Sequence, residues 1–107
     1  MITINSDIPY TDLGGGVRRK VLAYTEDIMT VEVAFESGAV GAPHAHPHSQ
    51  ISYVLSGRFE ATIGDEVRRI SAGDSYAVLP SLTHGVRCLE RGTLIDVFSP
   101  MREDFIK

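Results

Sequence analysis

The chain has 107 residues, enough for a single core, and we expect residues 1–107 to form one domain. Ten Lys and Arg against fourteen Asp and Glu give a net charge of -4, so no basic face is available to neutralise a nucleic-acid backbone. No apolar run approaches the length of a membrane span. Neither nucleic acid nor a membrane is therefore an expected partner.

Cysteine and charge placement predict the compartment. Cys88 is the only cysteine, which excludes an intrachain disulfide and a cysteine-based zinc site, and suits a reducing environment. The first basic residue is Arg18, so the basic start of a secretory signal is missing. We expect a cytoplasmic protein.

Short segments rich in β-branched and aromatic residues recur along the chain, and no long segment keeps the 3.6-residue period of a helix. Turn residues separate them, including Ser56-Gly57 and Arg91-Gly92. This pattern predicts an all-β sandwich or barrel, with residues 101–107 as one helical turn or a strap across it. The predicted strands are Arg18 to Tyr24, Ile28 to Glu36, Gln50 to Ser56, Arg58 to Ile63, Glu66 to Ile70, Ser75 to Leu79, His84 to Glu90 and Thr93 to Ser99.

All four histidines fall in two places. His44, His46 and His48 lie between the second and third predicted strands, and His84 begins a later strand. Because alternate side chains of an extended segment share one face, His44 and His46 can grip one ion. Gln50 could supply an amide oxygen, and His84 could complete the set from across a closed barrel. Such a set suits divalent nickel, zinc, cobalt, manganese or iron.

The spacing around these residues is distinctive. From Gly38 to Gly57 it follows G-x5-H-x-H-x3-E-x6-G at every position, with Gln50 in place of Glu. A second pattern, G-x5-P-x-G-x2-H-x3-N, keeps Gly73 and His84 and is otherwise degenerate, with Leu79, Ser81 and Cys88 at the remaining positions. These two patterns resemble the motifs of the cupin superfamily. The resemblance implies a jelly-roll barrel, or double-stranded β-helix, that binds a metal.

By this register the metal ligands are His44, His46, Gln50 and His84, and His48 is left over. His48 could be a group behind the ligands, a proton relay or a solvated turn residue, and we favour the last. An amide at position 50 removes one negative charge from the ligand set, so the ion should polarise oxygens rather than activate dioxygen. A plainer interpretation, that the histidines only decorate an exposed proline-rich turn, also remains.

A carboxylate lies in the middle of an otherwise mostly apolar predicted strand. Leu94, Asp96 and Phe98 share one face by the two-residue period, so Asp96 either looks into the barrel or is stranded outside it. It could do proton chemistry, or it could form a structural ion pair with Arg87 or Arg91.

Three stretches carry a closer resemblance: Asp12 to Val17, His44 to Gln50, and Leu94 to Phe105. They resemble the small pectin-degradation cupins, which open the rings of unsaturated uronates. The resemblance implies a small-molecule substrate, a 4,5-unsaturated monouronate left by lyases acting on pectin or alginate, and a linear 4-deoxy-5-keto product. It also implies that Asp96 and Arg102 are catalytic and that Phe98 and Arg102 contact the substrate.

Two alternatives of other classes stay open. One is a metal-dependent dioxygenase on the same fold, and the other is a non-enzymatic cupin that only binds or senses a sugar. The quaternary structure is a further expectation: Ile51, Tyr53 and Leu55 fall on the strand face opposite Gln50, and that face could form the seam of a homodimer.

Overall fold

The computed structural model describes residues 1–106. Nearly all of its regular structure is β-strand, with one 3-10 turn near each end, at Asn5–Asp7 and Glu103–Phe105. The second of these is the helical turn that was one of two expectations for the C-terminal segment. The strands are β1 Thr11–Gly14, β2 Val17–Tyr24, β3 Met29–Phe35, β4 Val40–His44, β5 Ser49–Ile63, β6 Glu66–Ser71, β7 Ser75–Val78 and β8 His84–Ser99.

Every strand pair is antiparallel, and the long strands β5 and β8 organise the sheet. They pair along their whole length, from Ser49 opposite Ser99 to Ile63 opposite His84. The second half of β8 also pairs with β3, and its first half pairs with β4. On the other edge of β5 lie β7 and β6. This folding of one sheet over itself is the jelly-roll barrel that the sequence predicted.

Two pairs of predicted strands are in fact single strands. The segments 50–56 and 58–63 together form β5, and 84–90 and 93–99 together form β8. The predicted turns at Ser56-Gly57 and Arg91-Gly92 are wrong, because the two glycines lie where β5 and β8 approach closely. A Cβ on Gly92 would lie 2.1 Å from the Ser56 carbonyl oxygen, and one on Gly57 would lie 2.5 Å from the Arg91 carbonyl oxygen. The pairing register between β5 and β8 shifts beside these glycines, which forms a β-bulge.

Strands β1 and β4 were not predicted. Both are exposed edge strands with little apolar pattern, and β4 contains Gly41 and Pro43, which favour a loop. The strand β4 matters for function because it ends at His44 and aligns that residue opposite His84 of β8.

Buried apolar side chains form one core cluster within the barrel. Its largest fully buried side chains are Phe59, Met29 and Leu94, and Phe35 packs edge-to-face on Phe59 with ring centroids 5.3 Å apart. No helix within residues 1–106 is long and apolar enough to cross a membrane.

Candidate metal centre and active site

Three imidazoles lie close together in the folded chain. His44 ends β4, His84 begins β8 directly opposite it, and His46 follows in the turn that leads to β5. The ring centroids of His44 and His84 lie 4.4 Å apart, and those of His46 and His84 lie 4.8 Å apart. One nitrogen from each ring falls within 4.8 Å of the other two, close enough to hold one ion.

Gln50 joins this cluster from the start of β5. Its Oε1 atom lies 2.9 Å from His46 Nε2 and 3.1 Å from His84 Nε2. Gln50 and both of these histidines are buried, whereas His44 is exposed at the rim. The structure thus brings together all four side chains that the sequence singled out as metal ligands.

The hydrogen bonds behind the rings show which nitrogens are free. The Nδ1 atom of His44 lies 2.9 Å from the Ala42 carbonyl, and that of His84 lies 2.9 Å from the Leu82 carbonyl. His46 Nδ1 faces the His48 carbonyl at 3.1 Å. Since a carbonyl can only accept, each Nδ1 donates to its carbonyl, and Nε2 is the ring nitrogen that these bonds leave for another partner.

The donor set therefore fits a cation. In the neutral rings the Nε2 lone pairs of His46 and His84 face the Oε1 lone pairs of Gln50, and such an approach is repulsive unless a positive charge lies between them. Burial lowers the pKa of His46 and of His84, which keeps both rings neutral at physiological pH and ready to bind a metal. Three histidines and an amide oxygen could hold a divalent transition metal ion.

Asp96 lies on β8 and lines the same cavity as the histidines, so its side chain looks into the barrel. Burial raises the pKa of this carboxyl to about 6, against smaller opposing effects from a Ser52 hydrogen bond, His44 and Arg102. The structure excludes the alternative of an ion pair with Arg87 or Arg91. Arg87 instead contacts Glu60 at 3.6 Å and Arg91 contacts Glu36 at 3.8 Å.

Arg102 also lines the cavity. Its side chain is only 12% exposed, and its guanidinium lies 5.1 Å from the ring centre of Phe98 and 4.2 Å from that of Phe105. Phe98 is buried beside His46, with ring centroids 5.6 Å apart. A cation and an aromatic ring thus face the space next to the histidine cluster.

Three residues of this region had no signal in the sequence. Arg19 of β2 stacks on Phe105 at 3.8 Å, so two guanidiniums contact one ring at the cavity edge. Tyr76 of β7 lines the cavity, and burial together with the negative charge of Asp96 raises the pKa of its hydroxyl. Ser52 of β5 is completely buried against Asp96. All three reach the site through strand pairing distant in sequence.

The expectation for His48 is wrong in one respect. His48 is half-buried rather than solvated, because its ring packs near His46 and Phe98 with centroid distances of 5.5 and 6.5 Å. Its Nδ1 atom is buried and has no hydrogen-bond partner among residues 1–106. Its backbone carbonyl is the group that faces His46 Nδ1, so this residue lies behind His46.

The cavity that these residues line has a volume of about 260 Å³. Its lining combines apolar side chains such as Val33, Phe35 and Leu94 with the polar groups described above. An apolar pocket with a few convergent polar groups is typical of a small-molecule site.

The fold and the histidine cluster define a cupin, and the Cupin domain family matches residues 31–98. The pectin degradation protein KdgF of Dickeya dadantii is 45% identical over 105 residues, which cover 96% of both chains. The structure of KdgF from Halomonas sp. is 42% identical, covers 97% of this chain and 98% of its own, and has a TM-score of 0.94.

An RmlC-like cupin from Shewanella frigidimarina is similar to the same degree, with 41% identity, coverage of 97% of this chain and 94% of its own, and a TM-score of 0.94. The chain belongs to the KdgF-like cupins. Both resemblances noted in the sequence are thereby confirmed at the level of the family.

Proposed function

We propose that this protein is an isomerase-type enzyme that opens the ring of 4,5-unsaturated monouronates to the linear 4-deoxy-5-keto form. The observation that carries the proposal is the juxtaposition of an acid and a cation beside the histidine cluster: Asp96 and Arg102 line one cavity with His44 and His84. The similarity to the pectin degradation protein KdgF supports this substrate class. Monouronates released from pectin and from alginate share the same unsaturated ring, so we include both.

The substrate chemistry defines what the site must do. The unsaturated ring is a hemiacetal at C1 and an enol ether at C5. Opening it removes the C1 hydroxyl proton, forms the C1 carbonyl and breaks the bond from C1 to the ring oxygen, which leaves as an enolate. Ketonisation then adds one proton at C4 and yields the C5 ketone. The reaction therefore removes one proton from the C1 hydroxyl and adds one proton at C4.

Asp96 is the residue we assign to both proton transfers. A carboxyl with a pKa of about 6 is mostly ionised at neutral pH, so it can accept the C1 proton, yet it holds a proton well enough to return it to C4. An ordinary aspartate would be a weaker base under the same conditions.

Arg102 and Phe98 bind and orient the sugar in this proposal. The guanidinium of Arg102 neutralises the uronate carboxylate, for which its planar fork is the matching partner. Phe98 offers an apolar face next to it, and the buried ring excludes water from that side of the substrate.

His44, His46, Gln50 and His84 would hold one divalent ion, of nickel, zinc, manganese, cobalt or iron. A bound ion would supply positive charge that stabilises the negative charge developing on the enol oxygen. The approach of Gln50 Oε1 to His46 Nε2 and His84 Nε2, with His44 close by, supports this assignment.

We also infer a homodimer. Ile51, Tyr53 and Leu55 alternate with buried residues along β5 and are 45–54% exposed, which places them on the outer face as the sequence predicted. Ile51 and Tyr53 pair across the sheet with Val97 and Ile95 of β8, so the apolar surface is continuous. A patch of this kind is the natural seam between two copies. The buried, unpaired thiol of Cys88 supports a cytoplasmic location.

The product identifies the reaction. Proton NMR of fresh lyase-generated monouronate should show loss of the C4 vinyl proton and appearance of the C4 methylene, with no oxygen consumed. Oxygen uptake that matches substrate loss would instead indicate a dioxygenase. A shift in melting temperature without conversion would indicate a binding or sensing protein.

A further inference from the structure

One buried hydroxyl connects the histidine cluster with the acid. Ser52 is completely inaccessible to solvent, and its neighbour across the sheet is Asp96. The amide Nε2 of Gln50 donates to Ser52 Oγ at 2.9 Å, and Ser52 Oγ donates to Asp96 Oδ1 at 2.6 Å. A continuous hydrogen-bonded chain therefore runs from Gln50 through Ser52 to Asp96.

Counting protons gives this chain a direction. The Oε1 atom of Gln50 faces His46 and His84, so the atom that faces Ser52 is the nitrogen, which can only donate. Ser52 has one hydroxyl hydrogen. Because it accepts from Gln50, that hydrogen is free for Asp96, and the 2.6 Å distance is that of a hydroxyl bound to a carboxylate.

The direction depends on the amide at position 50. A glutamate there, as in the general cupin motif, would be an acceptor on both oxygens and would compete for the Ser52 hydrogen. Asp96 would then lose its donor. The glutamine that departs from the motif thus serves two sites at once, with its oxygen turned to the histidines and its nitrogen to Ser52.

We propose that Ser52 is a positioning residue that fixes one oxygen of Asp96 and leaves the other for the substrate, with Gln50 setting the direction of the chain. This inference rests on the proposed function for its catalytic meaning. Its structural part does not depend on any reaction. The Ser52 hydroxyl donates to Asp96 because the Gln50 amide donates to that hydroxyl.

The hydrogen bond also bears on the charge of Asp96. A donor to the ionised form stabilises that form, so loss of the Ser52 hydroxyl raises the pKa of Asp96. The other ionisable groups that act on this carboxyl are His44 of β4, Arg102 beyond β8 and Tyr76 of β7. Of these groups Tyr76 also forms a hydrogen bond with Ser52, so a change at Ser52 acts on Asp96 both directly and through Tyr76.

The test is a carbon-13 NMR titration of the Asp96 side chain in the full-length protein, with and without added zinc. In Ser52→Ala the midpoint should rise by about one pH unit, the size expected for a lost hydrogen bond to a charged group. The matched control is Ser75→Ala, because the Ser75 hydroxyl donates to the backbone carbonyl of Ser52 at 2.8 Å and lies outside the chain. That control should leave the midpoint unchanged.

A second measurement tests the hydrogen bond from Gln50 to Ser52. The side-chain amide resonances of Gln50 should move in Ser52→Ala and stay in place in Ser75→Ala. On monouronate, Ser52→Ala should lower kcat on the order of tenfold with little change in KM, and the acid limb of its pH profile should move to higher pH.

Each failure has a distinct signature. An Asp96 midpoint that is the same in Ser52→Ala and in the wild type overturns the inference, whatever the activity. A wild-type protein that does not convert monouronate overturns the proposed function, while the titration still decides whether Ser52 positions the acid.

Discussion

Arg102 and Asp104 form a two-pronged ion pair although only one residue separates them. The Nε atom of Arg102 donates to Asp104 Oδ1 at 3.1 Å, and its Nη2 atom donates to Oδ2 at 2.9 Å. The guanidinium holds the pKa of Asp104 below its ordinary value. This ion pair fixes one edge of the Arg102 guanidinium. The plane of the guanidinium therefore stays over Phe105, and its remaining N–H groups are available for a ligand.

Replacing the guanidinium of Arg102 by a single ammonium group should weaken substrate binding. Arg102→Lys keeps the charge and loses both the two-pronged pair and the flat face over the aromatic rings, so KM for monouronate should rise at least about tenfold. Arg68→Lys, on an exposed arginine of β6, is the matched control and should behave as wild type. Equal KM values for the two variants would remove Arg102 from the binding site.

The acid should matter for turnover more than for binding. Asp96→Asn cannot accept or return a proton, so kcat should fall about 10²–10⁴-fold while KM changes little. Loss of the conjugated ultraviolet absorbance measures both constants. Asp65→Asn, in the exposed turn between β5 and β6, controls for the loss of a carboxylate. Near wild-type kcat in Asp96→Asn would show that another group moves the protons.

The same substitution should stabilise the metal-free protein, increasingly so at higher pH. The folded-state pKa of Asp96 is about 6, above its ordinary value of 3.8. A raised acid contributes its full stability below the unfolded-state pKa and loses it as pH rises through the folded-state value. The asparagine side chain of the variant does not titrate, so the variant's advantage in unfolding free energy should grow by about 1–2 kcal/mol from pH 5 to pH 8.

Urea denaturation of chelator-treated wild type and Asp96→Asn at the two pH values measures this difference. An advantage that is constant between the two pH values would mean that the folded-state pKa of Asp96 is not raised above its ordinary value.

The outer face of β5 should control the oligomeric state. Tyr53→Glu introduces a charge into the apolar patch and should convert a dimer into a monomer at micromolar concentration, as read by light scattering. Val67→Glu, at a similarly exposed apolar residue on β6, should leave the dimer intact. A monomeric wild type would show that the patch has another role or none.

Much of the site could be predicted from the sequence because its signals are local. The alternation of His44 and His46, the spacing to Gln50 and the two-residue period around Asp96 each follow from strand geometry within a few residues. The register between β4 and β8 then places His84 opposite His44, as a closed barrel requires.

The parts that could not be predicted depend on contacts between distant segments. Gly57 and Gly92 have the local chemistry of turn residues, and only the close crossing of β5 and β8 makes them a bulge. Arg19 and Tyr76 are ordinary strand residues until the sheet folds them onto the cavity. Ser52 carries no motif, since its importance lies in the two partners that it joins.

The most direct test is the initial rate of monouronate loss with fresh lyase-generated substrate, followed by ultraviolet absorbance against a protein-free control. The control is necessary because the ring also opens slowly without a catalyst. We predict that the protein accelerates the reaction well above that rate, that a chelator abolishes the acceleration, and that added divalent metal restores it. A rate equal to the protein-free control with metal present would contradict the proposed activity, and a full rate in the presence of chelator would contradict the metal centre.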